Sequence, residues 1–120
     1  MKIFKKDGKI NFVDKNNVFL GYDMRKSCCE NADWFISDTI TKNIQDNDCD
    51  EDLEEYVFDI SFFKEVTGME FFEGGMAIFR IVNEESKKEK FIHIFNAHEG
   101  YYHHGFEFTI NEEIVQNGDL

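Results

Sequence analysis

Proline is absent from the chain. Every apolar run is therefore free to pair, and one common device for blunting the edge of a β-sheet is missing, so charged side chains must do that work. Cysteine is scarce: the adjacent Cys28 and Cys29 and a distant Cys49 are the whole set. Three thiols cannot complete a disulfide framework, and no apolar run at the N-terminus resembles a signal peptide, so the expected compartment is the reducing cytoplasm. No stretch approaches the roughly 20 apolar residues that span a bilayer.

Cations are also few, with 13 Lys+Arg against 25 Asp+Glu and a formal net charge of -12. Such a field repels phosphate backbones and anionic membrane surfaces alike, so the chain is expected to contact neither nucleic acid directly nor membrane. It leaves two readings: a solvated surface that keeps the protein apart from its neighbours, or a decoy that docks on a basic groove built for nucleic acid.

What is plentiful is aromatic. Fourteen Phe, four Tyr and one Trp in 120 residues supply enough apolar surface for one domain with its own core, each ring burying on the order of 150–250 Å². No repeat, linker or shift of composition divides the chain, so residues 1–120 read as a single domain.

Its local patterns are mostly those of strands. Ile10 to Val13 and Val18 to Tyr22 flank the polar cluster Asp14-Lys15-Asn16-Asn17, which predicts an opening β-hairpin. Trp34-Phe35-Ile36 reads as extended. Residues 46–55 are the acidic maximum, with Asp46, Asp48, Asp50, Glu51, Asp52, Glu54 and Glu55 crowded around Cys49 and Leu53; charge of that density predicts an exposed loop. Tyr56, Phe58, Ile60 and Phe62 then alternate with polar residues as a half-buried strand would. Past Gly74-Gly75, Met76 to Val82 is apolar on both faces apart from Arg80, the signature of a central strand. It is followed by a return run over 91–95 and an alternating run Phe106, Phe108, Ile110, which together predict a three-strand antiparallel meander. The fold class expected is α+β, mostly β, with an antiparallel sheet and little helix.

Candidate chemistry gathers in two places. Cys28-Cys29-Glu30 and the loop His98-Glu99-Gly100-Tyr101-Tyr102-His103-His104-Gly105 hold ligand types suited to zinc and a thiol that a histidine base would activate. Neither has the spacing of a dedicated site. Adjacent cysteines differ from the C-x₂₋₄-C pair that wraps a metal, the loop is not H-E-x-x-H, and the acidic run counted from Asp46 has Glu51 and Val57 where a calcium loop needs Gly and Glu. The plain alternative is a packed cysteine and a wide hairpin loop in which glycines supply positive φ. Exposed Tyr101 and Tyr102, together with Trp34, are also good anchors for a protein contact.

The triplet Cys28-Cys29-Glu30 and the segment Asn96-Ala97-His98-Glu99-Gly100-Tyr101-Tyr102-His103-His104-Gly105 resemble an uncharacterised family of small bacterial and phage domains. That family has an early C-C-E triplet and an N-x-H-N-G-Y-Y-x-H-like loop before a last strand and a terminal Gly118-Asp119-Leu120 turn; Glu99 stands where Asn is usual. The resemblance implies a compact, mostly-β domain in a bacterial cell and a mobile-element setting, with no activity attached. The reading that follows is a non-enzymatic, cofactor-free module that binds another protein through a basic surface on that partner. Its contacts would come from Asp46, Asp48, Asp50, Glu51, Asp52, Glu54, Trp34, Tyr101 and Tyr102. The alternative is a small-molecule or metal-binding protein using Cys28, Cys29, Glu30, His98 and His103.

Overall fold

The computed structural model describes residues 1–25, 32–41, 43–44, 53–67, 75–96 and 104–120. Ten strands form in chain order: β1 (Lys2–Lys6), β2 (Lys9–Val13), β3 (Val18–Asp23), β4 (Ala32–Ser37), β5 (Tyr56–Phe58), β6 (Lys64–Thr67), β7 (Gly75–Asn83), β8 (Glu89–Asn96), β9 (Gly105–Ile110) and β10 (Glu113–Asp119). One sheet has the order β1-β2-β3-β9-β10; the other has β4-β8-β7-β5, with β6 also paired to β7. All pairs are antiparallel. The fold is mostly β, and no helix occurs among the described residues, so the α element of the expected class has no counterpart there.

Turn chemistry sets the registers. Asp7 and Gly8 both take positive φ between β1 and β2, as Asn111 and Glu112 do between β9 and β10, the geometry of two-residue hairpin turns whose twist matches the flanking strands. The 14–17 cluster closes β2 onto β3 as expected. There the Asp14 Oδ1 accepts the amides of Asn16 at 2.9 Å and Val18 at 3.0 Å.

The two sheets pack face to face. Phe12, Leu20, Tyr22, Phe106 and Phe108 from one meet Trp34, Phe79 and the aliphatic residues of β7 and β8 from the other. Phe79 sits 5.0 Å from Phe108 and 6.1 Å from Phe106 between ring centroids, so one ring of the second sheet bridges two of the first. β7 is central as its composition requires: Ala77, Phe79 and Ile81 face the first sheet, while Met76 and Ile78 belong to a second cluster with Phe35, Phe91 and Phe95. A polar tie crosses the same core, where the Tyr22 hydroxyl donates to the carbonyl of Phe95 at 2.7 Å. Replacing Tyr22 by Phe keeps the ring and removes that bond; equilibrium urea unfolding is expected to show a loss of about 1 kcal/mol.

Several expectations are corrected. β8 and β9 do not continue one meander: β8 lies between β4 and β7, whereas β9 pairs with β3 and β10. The histidine-tyrosine segment therefore joins strands of different sheets and closes no hairpin. The alternating run over 56–62 ends as a strand at Phe58, because Asp59 turns the chain by accepting from the Ser61 amide at 3.0 Å and pairing with Arg80; Ile60 is left exposed. Gly118 and Asp119 lie inside β10, not in a terminal turn. Lysine-rich β1 and exposed β10 are the two edges of the first sheet, and charge on β1 does the blunting that proline would otherwise do.

Candidate functional site

Strand register brings the ends of three segments to one end of the sandwich. Ala32, which follows the Cys28-Cys29-Glu30 segment, pairs with Asn96, which precedes the His98 segment, and Asn96 also pairs with Gly75. His104, at the far side of the same segment, exchanges backbone hydrogen bonds with Leu120 at 3.1 and 2.9 Å. Its buried ring donates from Nδ1 to the carbonyl of Asp23 at 2.8 Å, which fixes that proton on Nδ1. Asn96 Nδ2 donates to the carbonyl of Leu120 at 3.1 Å. This buried network ties β3, β8, β9 and the C-terminal residue together.

From that end a depression of about 850 Å³ runs along the outer face of the first sheet. Its middle row crosses all five strands, Phe4-Asn11-Gly21-Glu107-Asn117, each residue directly opposite the next. The central member has no side chain, and the Phe19 ring takes the space that one would fill. A Cβ on Gly21 would stand 2.9 Å from the Phe19 ring and 3.4 Å from Asn11 Oδ1, so the ring leans over the glycine and the amide oxygen points at the same place. Asn11 is held there by its Nδ2, which donates to the carbonyls of Phe4 and Lys9 at 3.4 and 3.3 Å. Phe4 is 43% exposed, so the floor carries an accessible ring.

The row nearest the converging ends is charged. Lys6 and Lys9 are opposite each other across the first hairpin, Lys9 is opposite Asp23, and Asp119 closes the far side opposite Gly105. Asp23 is engaged by Arg25, whose guanidinium reaches it at 2.6 Å and holds its carboxyl below the usual range. Among the described residues no carboxylate lies within ion-pair distance of Lys2, Lys5, Lys6 or Lys9.

The opposite end of the molecule is acidic. The Glu84 amide donates to the carbonyl of Glu55 and that of Asn111 to Asn17. These contacts gather the turns carrying exposed Glu54, Glu55, Glu84, Glu85, Glu112 and Glu113 around the 14–17 turn. The cations at this end are fewer: Lys15, which pairs with Glu84, exposed Lys87 and Lys88 on the β7-β8 turn, and the Met1 ammonium, which donates to the carbonyls of Leu53 and Glu54. Charge is segregated along the chain as well: residues 1–9 hold four lysines and one aspartate, the other 111 hold nine Lys+Arg and twenty-four Asp+Glu, so +3 is set against -15.

Of the residues singled out from sequence, Asp46, Asp48, Asp50, Glu51, Asp52, Cys28, Cys29, Glu30, His98, Tyr101, Tyr102 and His103 lie outside the described residues. Glu54 is exposed on the acidic end. Leu53, inside the stretch read as an exposed loop, is buried in the core. Trp34 is buried too, 5.3 Å edge-on from Phe12, because its position on β4 faces the other sheet; this removes it as a surface anchor. Among the described residues no His, Cys, Asp and Glu cluster of three or more is arranged to hold a metal ion. No described helix is long and apolar enough to cross a membrane. The depression leaves no mark in the sequence, since Gly21 sits in a run that reads only as strand.

No protein-family profile matches the chain, and neither the curated proteins nor the solved structures contain a significant match to it.

Proposed function

We propose that the protein is a non-enzymatic binding module whose acidic end occupies a basic surface of another protein. The partner class that fits best is a protein whose basic groove is built for nucleic acid, such as a nuclease or a defence protein, with this chain acting as an inhibitor encoded by a phage or mobile element. The observation that carries the reading is the gathering of six exposed glutamates, Glu54, Glu55, Glu84, Glu85, Glu112 and Glu113, on neighbouring turns of one end. In the sequence the acidic run over 46–52 directly precedes Leu53. Carboxylates so placed raise the encounter rate with a cationic surface and suppress wrong partners.

The test is association with a panel of basic nucleases, followed at about 50 and 300 mM salt, where the screening length differs more than twofold. The variant Glu54→Gln/Glu85→Gln/Glu112→Gln is expected to associate threefold to tenfold more slowly at low salt and no differently at high salt. Binding that ignores both salt and the three substitutions removes the proposal. The second reading, a small-molecule or metal-binding protein using Cys28, Cys29, Glu30, His98 and His103, is favoured by the Ala32-Asn96 pairing, which brings the flanks of both motifs together. Zinc at one per chain in purified protein decides for that reading.

A further inference from the structure

We propose that the depression on the outer face of the first sheet binds a mononucleotide. This site is at the other end of the molecule from the acidic turns, and the inference stands on different residues from the protein-binding reading.

Three features of the hollow point to the same ligand. Lys6 and Lys9 are directly opposite on one face of a hairpin, where two like charges repel unless an anion sits between them, and no described carboxylate reaches either. A phosphate supplies that anion and can accept from both ammonium groups. Next to this pair, Phe4 and Phe19 offer aromatic surface around Gly21; a planar base stacks on such rings whatever its identity. Beyond Gly21, Glu107 and Asn117 present acceptors, and Asn11 Oδ1 presents another on the near side. A carboxylate or amide oxygen takes a hydrogen bond from the amino edge of adenine or cytosine.

The spacing agrees. Lys9 on β2 and Glu107 on β9 are separated by β3 alone and offset by two residues along the strands, which puts their backbones roughly 12 Å apart, a span that a nucleotide held by the lysine side chain can bridge. The hollow of about 850 Å³ is within the range of small-molecule sites.

The other charges set the limits of the ligand. Asp7, Asp23 and Asp119 share the rim, and Asp23 is already held by Arg25. With -15 on the rest of the chain, a long polyphosphate strand is repelled, whereas a single nucleotide brings only one small anion to the two lysines. The occupant is therefore a free nucleotide and not a nucleic-acid strand.

Isothermal titration of the full chain at low salt tests this, with adenosine and cytidine monophosphate, inorganic phosphate, adenosine and a single-stranded 12-mer as probes. At least one mononucleotide is expected to bind, with phosphate alone and nucleoside alone each at least about tenfold weaker, since each keeps only part of the contact. Lys6→Gln/Lys9→Gln is expected to weaken mononucleotide binding about tenfold or more. Gly21→Val, whose side chain must push the Phe19 ring out over the hollow, is expected to abolish it with unchanged far-ultraviolet circular dichroism. The proposal is overturned by no binding of either mononucleotide at millimolar concentration, by binding that survives the lysine substitutions, or by a 12-mer that binds more tightly than the mononucleotides.

Discussion

Acidification from pH 6.5 to 4 is expected to destabilise the protein by about 3 kcal/mol, and His93→Gln is expected to abolish most of that loss. His93 is fully buried on β8, stacked on Phe35 with ring centroids 4.2 Å apart, among the apolar residues of the second cluster. Both ring nitrogens are used: Nδ1 donates to the carbonyl of Phe91 at 3.1 Å, and Nε2 accepts the Thr41 amide at 3.2 Å. A proton added at Nε2 would meet an N–H, so the folded state holds the ring neutral, and burial pushes its pKa down from 6.5 to about 4. The sign follows from that direction. Above pH 6.5 the ring is neutral in both folded and unfolded chains and contributes no pH dependence. Below it the unfolded chain takes up the proton first, so stability falls with pH until the folded ring also titrates near 4, a difference worth about 3 kcal/mol. The carboxylates Asp23, engaged by Arg25, Asp38, engaged by Lys90, and Asp59, engaged by Ser61 and Arg80, are also shifted down, but from the usual 3.8, so their stabilisation is lost only at still lower pH. Urea unfolding at pH 7, 5.5 and 4.5 separates the two groups. Gln at position 93 retains a donor and an acceptor, so equal slopes for wild type and His93→Gln between pH 6.5 and 4.5 would show that the buried imidazole is not the source.

His93 also marks how far the sequence could be read. The run over 91–95 announced a strand opposite β7, and the register confirms it, Phe79 facing Ile92 and Ile78 facing His93. Strand periodicity puts the histidine on one face but does not tell whether that face is buried, since this depends on what covers it. The same limit applies to topology. Strand character at Phe106, Phe108 and Ile110 was plain from their alternation, but their partner is β3, more than eighty residues earlier, with Leu20 opposite Phe108. Nothing local distinguishes that pairing from a third strand beside β8. β1 leaves little trace in the sequence because Lys2, Lys5 and Lys6 mask a two-residue apolar signal, a composition that suits an edge strand. The depression was hidden for a related reason: Gly21 is ordinary within its own strand, and only cross-strand register sets Phe4, Asn11, Glu107 and Asn117 beside it.

Asp14→Ala is expected to cost about 3 kcal/mol, a large loss for a residue that composition alone assigns to a polar turn. The carboxylate is buried and serves two sheets. Its Oδ1 takes the amides of Asn16 and Val18 within the β2-β3 turn, and its Oδ2 takes the amide of Phe58 on β5 at 2.9 Å, forty-four residues away. Phe58 stands at an edge of the second sheet, so this amide has the turn of the first sheet as its acceptor. Alanine leaves three N–H groups without that acceptor. At roughly 1–3 kcal/mol for each buried one, and less for the Asn16 amide near solvent, a total near 3 kcal/mol follows. Asparagine separates the two jobs. Its carbonyl oxygen can still accept from the turn, but its amide nitrogen then faces the Phe58 N–H, donor against donor. Asp14→Asn is therefore expected to keep the hairpin and lose the inter-sheet bond, with a cost of about 1–2 kcal/mol and faster hydrogen exchange at the Phe58 amide but not at Val18. Equal acceleration at both amides would show that the turn, and not the link between sheets, is what Asp14 maintains.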